Sequence, residues 1–496
     1  MPRGRGRAPH RYGPRRDGRR GHARRAARGG CLGGHHLGRR EVTRRTRTGL
    51  PAGTFLLVAT RFLVYLGVQA AYFIGIIGTL TYEVGASTWA LAGAVGFFNL
   101  FIIFGNAAGG TLLDVRGPRL HAAVTLAVAV ATSVLFQLAP PDVANVLAMS
   151  CAFGFATGLG FAFLSAYPAY LTDDADELKR VNALLAVVSN VAVVVGPAVG
   201  GLIATVLPAQ RVFLAAAVFS AAAALPAYLL VERVLRVRAA RVRSRVLDAS
   251  EPMPDAPGAN APGAAASDDP GATAPSAAAP EPAPDAPSAT FADSVRTVFT
   301  VPSLALLFGV GVLAYTGYGA FDPLESLFYR DVLHVGISWM GWLSSAAGAG
   351  SVIGSLLAIR VPRAHVNVLT LILLIALQGV GCLLYVGTPY VACALAGQMV
   401  LGCAFGMVTP LQNTLVQMHA PIEVLGRVNS VMNAGFNGAG ALPLFAAPAL
   451  AAIFGVQGVL VGASLVVLAV PLVYLVVRRR TVARIVAEER KRGQEG

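Results

Sequence analysis

Charge is what this chain of 496 residues has least of. Only 13% of its residues are Asp, Glu, Lys or Arg, while 55% are hydrophobic; soluble proteins carry about 25% charged residues. That scarcity excludes an ordinary soluble globular protein. Acidic residues are the scarcer sign, 25 against 40 Lys and Arg, for a net charge of +15. A basic balance spread over a surface would point to nucleic acid. Here sixteen arginines precede Leu50 and most of the others sit in a few short connections, so no nucleic-acid partner is expected. The five cysteines, Cys31, Cys151, Cys382, Cys393 and Cys403, have no metal-ligand spacing and read as small packing residues. No Ser-His-Asp or His-Glu spacing occurs, and no glycine loop that would cradle a phosphate. The chain is therefore expected to be no enzyme, to hold no metal or cofactor, and not to be driven directly by ATP.

What the chain has in abundance is long apolar runs. Twelve of roughly 20 residues or more can be marked, each long enough for a hydrocarbon core about 30 Å thick. Six lie in the first half: Phe55–Leu80, Trp89–Leu113, Leu120–Ala139, Val143–Leu171, Val181–Leu207 and Val212–Val231. Six follow: Leu304–Phe328, Trp339–Ile359, Val366–Val386, Val391–Met418, Val428–Phe454 and Val459–Val477. Lipid leaves backbone groups no outside partner, so such runs are helices. With the N-terminus inside, Arg116, Arg119, Lys179, Arg180, Arg360, Arg363 and Arg427 all fall in cytoplasmic turns, and only Arg211 and Arg330 fall outside. That asymmetry predicts both termini in the cytoplasm of a cell whose inner, plasma membrane holds the protein.

The segments between and around the runs are of another kind. Residues 1–50 form a basic arm without the apolar core of a secretory signal. No Met occurs between Met1 and Met149, so the arm is expected to be disordered or an upstream extension, with a start near Val42; the alternative is a real arm that binds lipid or nucleic acid. Residues 232–298 form a linker. Its first part, "VERVLRVRAARVRSRVLDA", reads either as an interfacial helix on the anionic inner leaflet or as a solvated continuation of the sixth run. The Ala, Pro and Asp of the stretch from Ser250 to Thr290 cannot bury enough surface to order it. Residues 478–496 form a basic cytoplasmic tail.

The two halves repeat one another. "GTLLDVRGPRLH" (Gly110–His121) returns as "GSLLAIRVPRAH" (Gly354–His365), "RVNALLAVVSN" (Arg180–Asn190) as "RVNSVMNAGFN" (Arg427–Asn437), and "CAFG" occurs at Cys151 and Cys403. The order is the same in both halves. A parallel duplication of six helices is a transporter architecture, with substrate bound near the midplane where the halves meet.

"GTLLDVRGPR" also resembles the motif that the major facilitator superfamily carries between its second and third helices. The six-plus-six layout with a long central loop is similar to that family over nearly everything after residue 50. The general look is that of bacterial proton-coupled drug-efflux members. The resemblance implies an all-α polytopic membrane protein with twelve transmembrane helices in two pseudo-symmetric six-helix bundles, residues 51–231 and 299–477. Gly110 is expected to admit a close neighbour and Gly117 to free the turn. Asp114 is placed to meet Arg116, another Arg, or a helix N-terminus. The resemblance implies that Asp114, with Arg119 completing the motif, meets the eleventh run at its start, marked by Arg427, and holds the cytoplasmic side shut. Ala358 stands in the second copy where a latch is not needed twice. "GPAVGG" (Gly196–Gly201), with Pro197 and Gly200, is similar to the end of the antiporter motif in the fifth helix. Ala192 departs from that motif upstream, where a further Gly is expected.

Ionisable residues inside the apolar runs default to function. Asp322 and Glu325 stand three apart in "GYGAFDPLESLFYRD", where Pro323 is expected to break the helical hydrogen bonding between them. They are either a proton-coupling pair, with Glu325 taking the proton and Asp322 as its charged neighbour, or an outer acidic pair bonded to Arg330. Arg61 is a further coupling candidate, unless it snorkels to the inner face. Gln69, Tyr72, Tyr315, Tyr318, Gln412 and Asn413 are cavity candidates; Asn190 and Asn437 also interrupt apolar runs. The expected function is proton-driven efflux of amphipathic small molecules by a monomer in contact with anionic lipid. A proton-coupled nutrient importer is the alternative, and a non-transporting receptor or scaffold is a more distant one.

Overall fold

The computed structural model describes residues 50–172, 174–250, 291–362, 365–419 and 425–495. The arm before residue 50, the tether over 251–290 and Arg363 lie outside them, as do the side chains of Lys179, Arg427 and Asn437. Among the described residues the chain is helical and has no strand. The first half comprises α1 (Thr54–Glu83), α2 (Thr88–Leu135), α3 (Val143–Leu159), α4 (Ala162–Ser165), α5 (Tyr167–Leu171), α6 (Ala175–Ile203), α7 (Val212–Ala222) and α8 (Ala224–Ser250). The second comprises α9 (Phe291–Thr300), α10 (Pro302–Tyr318), α11 (Phe321–Asp331), α12 (Ser338–Arg360), α13 (Val368–Val386), α14 (Val391–His419), α15 (Leu425–Val477) and α16 (Arg479–Glu495). Nine spans among the described residues are long and apolar enough to cross a membrane. Two of them, α2 and the stretch Ala434–Val477 of α15, are hairpins of two helices, folded at Gly117 (φ 81°) and Gly455 (φ 73°). Large apolar side chains such as Ile103, Leu202, Val218, Ile353 and Leu442 are exposed, as lipid-facing residues are.

Local chemistry sets the helix ends. Ser87, Asp142 and Asn367 each accept a backbone N–H from the first turn of the helix they open, which satisfies donors that lipid would leave bare. The fourth apolar run, continuous in sequence, breaks into α3, α4 and α5, with Pro168 in the first turn of α5. The basic stretch after the sixth run carries on as one unbroken helix, α8, to Ser250. The tail is also more than a basic appendage. Val482, Ile485 and Val486 of α16 are buried against the second half, and Glu489 accepts the Val368 N–H at 3.0 Å.

Small residues decide the crossings. Gly105 and Gly109 of α2 lie against Phe155 and Leu159 of α3, while Gly154 and Gly158 of α3 lie against Phe98 and Ile102 of α2. Two GxxxG faces thus meet backbone to backbone. The second half repeats the device: Gly350 and Gly354 of α12 lie against Met399 and Cys403 of α14, and Gly402 and Gly406 of α14 against Ala347 and Ser351 of α12. The expectation for Gly110 is corrected here. A methyl group added at Gly110 would meet nothing within 4 Å, whereas one at Gly109 would lie 2.9 Å from the Leu159 carbonyl oxygen. The sequence echo pairs Gly110 with Gly354, yet the packing partner of Gly354 in the first half is Gly109, one residue earlier.

The repeated stretch also turns differently in its two copies. Gly117 adopts a left-handed conformation (φ 81°, ψ 176°) and α2 folds back at once. Val361 stands in the equivalent place with φ −64° and ends α12 instead, because a β-branched residue is strained at positive φ. Below the first turn, Tyr167 Oη donates to the Pro118 carbonyl at 3.1 Å, and buried His121 contacts Tyr167 Oη at 3.2 Å and the Leu159 carbonyl at 3.1 Å.

The buried apolar residues fall into three clusters. One contains residues of both halves, from Ile74, Leu80 and Phe213 to Leu324, Phe328 and Leu460. The other two each belong to one half: Leu57, Phe163 and Leu185 in the first, Leu307, Leu371 and Met432 in the second. The shared cluster lies toward the end where α1 finishes, and the separate ones toward the end that carries the arginine-rich turns. Among the described residues the halves share one core at one end and keep separate cores at the other.

The crossing geometry makes a paired prediction. Gly105→Ala should destabilise the fold by about 1–3 kcal/mol through backbone overpacking. Gly110→Ala should be neutral or stabilise by up to about 1 kcal/mol, through helix propensity alone. Melting of the purified variants checks both signs, and equal losses would contradict the one-residue shift.

Candidate functional site

The break between α10 and α11 builds the site. The tenth helix ends at Tyr318, Gly319 passes directly against the backbone of Gly440, and a new helix starts at Phe321. Pro323 therefore sits in the first turn of α11, where a missing N–H costs nothing; the interruption lies upstream of Asp322 and not between Asp322 and Glu325. Asp322 and Glu325 then project from successive turns.

Their surroundings differ. Glu325 Oε1 accepts from Tyr385 Oη at 2.6 Å, Tyr329 Oη at 2.8 Å and Gln398 Nε2 at 3.2 Å. Tyr385 Oη and Tyr329 Oη also lie 2.5 Å apart. Three helices, α11, α13 and α14, thus supply donors to one carboxylate oxygen. Glu325 is half-buried; Asp322, with no hydrogen bond or ion pair among the described residues, is exposed. Asp322 is exposed although other parts of the protein lie around it. From the other half, Tyr72 of α1 comes within electrostatic reach of both carboxylates and stacks on Phe98, with centroids 4.3 Å apart. Tyr315 stacks on Phe436 at 5.3 Å and touches Tyr318 at 5.9 Å.

Directly beyond this cluster the halves are bolted together. Thr81 Oγ1 donates to Ser326 Oγ at 2.7 Å, Tyr82 Oη to the Val335 carbonyl at 3.1 Å, and Arg330 Nη1 to the Thr81 carbonyl at 2.6 Å. Arg330 also pairs with Asp331 at 2.6 Å; it does not bond the acidic pair. The "GPAVGG" motif belongs to the same seal. Gly196 and Gly200 press α6 onto α1 at Gln69, Ala70 and Ile74, while Pro197 and Gly201 face α12 of the other half. A methyl group at Gly341 would lie 2.6 Å from the Pro197 carbonyl, and one at Gly201 would lie 3.0 Å from the Ser338 carbonyl.

The structure does not gather the remaining candidates here. Asp114 and Arg116 are exposed at the parted end and hold no ion pair or hydrogen bond among the described residues. The motif's ion pair is made instead by Arg119, whose Nη2 meets Glu232 Oε1 of α8 at 2.7 Å. The Arg427 side chain lies outside the described residues. Arg61 is 4% exposed, so it does not snorkel, and it packs among Tyr65, Phe161 and Ser189, away from the acidic pair. Gln412 is half-buried and Asn413 exposed on α14, and neither joins the cluster. Sequence reasoning passed over Tyr329, Tyr385 and Gln398. The signal was available: Gln398 is a lone amide in the apolar run "LAGQMVLG", and Tyr329 follows Glu325 by one helical turn.

The sequence profile of the Major Facilitator Superfamily matches residues 57–442 and 307–494. The chain belongs to the Major Facilitator Superfamily. This transporter of the superfamily is a multi-pass membrane protein and not an enzyme. It is 25% identical over 387 residues to the multidrug efflux pump Tap of Mycobacterium tuberculosis and of Mycobacterium bovis, covering 75% of this chain and 80% of Tap. Solved structures share the superfamily fold. A peptide transporter POT in complex with sulfate aligns with TM-score 0.59 at 13% identity, over 90% of this chain and 99% of that one. A D-xylose-proton symporter aligns with TM-score 0.57 at 15% identity, over 84% and 96%.

The seal yields a test. A hydrogen bond from a charged donor is worth about 1.5–3 kcal/mol, so Arg330→Ala should raise the population open at this end roughly tenfold or more. A cysteine placed at Glu83 should then label faster with an impermeant maleimide. Unchanged labelling would mean that Arg330 does not hold the seal.

Proposed function

We propose that the chain exports amphipathic small molecules across the plasma membrane by alternating access, driven by protons moving inward. The observation that carries this is the core: one apolar cluster spans both halves at one end and two separate clusters serve them at the other, with an acidic pair beneath the joined end. A cavity open to one side, floored by a seal made of a few hydrogen bonds and glycine crossings, is a bistable element that ligand and proton can bias. The arginines mark the parted end as cytoplasmic, so this state faces inward and both termini lie inside. It has twelve passes, counting each limb of the two hairpins and including α3, and works as a monomer among anionic lipids. Export is favoured over import by the similarity to Tap; no observation on this chain favours a nutrient importer.

The two carboxylates divide the work. Asp322 opens to the cavity and has no hydrogen bond to break, so it exchanges protons with water there. Glu325 is fixed in place beside it by three donors. This reverses the roles that spacing alone suggests. With Asp322 deprotonated, two negative charges share the floor of the cavity and repel one another; a proton relieves them and lets the cavity close without substrate. Tyr72 reports that change to the first half.

Asp322→Asn should abolish gradient-driven export while leaving substrate binding and downhill exchange intact. Glu325→Gln should weaken export yet keep its dependence on the gradient. Transport in proteoliposomes, with and without an imposed proton gradient, separates the two. Normal uphill export by Asp322→Asn would refute the assignment.

A further inference from the structure

Arg61 is a buried cation without a counter-ion. It is 4% exposed, and its Nε donates to Ser189 Oγ at 3.3 Å. Its guanidinium lies 4.1 Å from the centroid of Tyr65 and 5.7 Å from that of Phe161. No carboxylate pairs with it among the described residues. Arginine stays charged in any protein environment, and one neutral hydroxyl with two ring faces does not replace the hydration it has lost. Most of its five N–H donors remain for a group that arrives from outside.

The position of Arg61 indicates what that group is attached to. Arg61, Tyr65, Gln69 and Tyr72 follow one another at spacings of four, four and three, which puts them on one face of α1. Tyr65, Gln69 and Tyr72 are half-buried along that face, and Tyr72 lies within electrostatic range of Asp322 and Glu325. From Arg61 to Tyr72 the helix runs about 16 Å. A charged anchor therefore lies at one end of a stripe of rings and one amide, and the acidic floor lies at the other.

We propose that Arg61 binds the carboxylate of an elongated amphipathic acid, whose apolar body lies along Tyr65, Gln69 and Tyr72; this deepens the export reading by naming a substrate class. A carboxylate matches the planar guanidinium fork with two parallel hydrogen bonds. Half-buried Tyr65 and Phe161 cover the arginine between visits. The far end of the ligand is neutral or cationic, since an anion there would face two carboxylates.

The test uses the full chain in phosphatidylcholine nanodiscs, titrated with the fluorescent acid 11-(dansylamino)undecanoic acid and with its methyl ester. The wild type should bind the acid about tenfold more tightly than the ester. Arg61→Gln should bring the acid down to the ester's affinity without changing the ester. Arg61→Lys, which keeps the charge and loses the fork, should leave a smaller preference for the acid. Equal affinities in the wild type, or an undiminished preference in Arg61→Gln, would overturn the proposal. Loss of acid binding when a third of the lipid is phosphatidylglycerol would also overturn it, by assigning Arg61 to a lipid headgroup. No gradient enters the measurement, so failure of proton-driven export would leave its outcome intact.

Discussion

Everything in this molecule depends on how the two halves touch. Pro197 and Gly201 of α6 meet Gly341 of α12 at backbone distance, and Thr81 and Arg330 add hydrogen bonds across the same junction. Bulk at any of these glycines would hold the helices apart, and bonds spread along the whole interface would weld the halves into one rigid bundle. Confined to one end, the contact acts as a pivot. The apolar core follows from it: shared where the halves touch, separate where they do not.

The chemistry lies against the pivot for a physical reason. A carboxylate in a lipid-embedded bundle is expensive unless it is hydrogen-bonded or wet, and the two acids solve this in different ways. Glu325 takes donors from three helices, while Asp322 is exposed. Because Tyr72 approaches them from the opposite half, a change of charge at the pair is felt across the junction that must open. Proton, seal and cavity are thus coupled by adjacency, with no need for a long relay.

Much of this was legible in the sequence because lipid leaves few options. Long apolar runs must be helices, and echoed stretches must be a duplication, so the fold could be read from hydropathy, arginine placement and the Gly110–His121 repeat. What sequence missed were properties of packing. The echo aligned Gly110 with Gly354, but helix contact is set by which glycine meets a neighbouring backbone, and that is Gly109. Pro323 suggested a break beside itself, yet the chain restarts its helix two residues earlier, where Gly319 crosses Gly440. The cage around Glu325 draws Tyr385 and Gln398 from 60 and 73 residues away, a convergence that no local pattern encodes. Arg119 and Glu232 are likewise joined only by the fold.

The central claim is that the two ends open in opposition, under the control of a proton. Spin labels on Val84 and Val332 span the sealed end, and labels on Val115 and Ile359 span the parted one. Their distance distributions, measured in nanodiscs between about pH 5 and about pH 8, test the claim most directly. The account predicts that the two distances shift in opposite senses with pH and that Asp322→Asn removes the response. Distances that stay fixed, or that lengthen together at both ends, would contradict it.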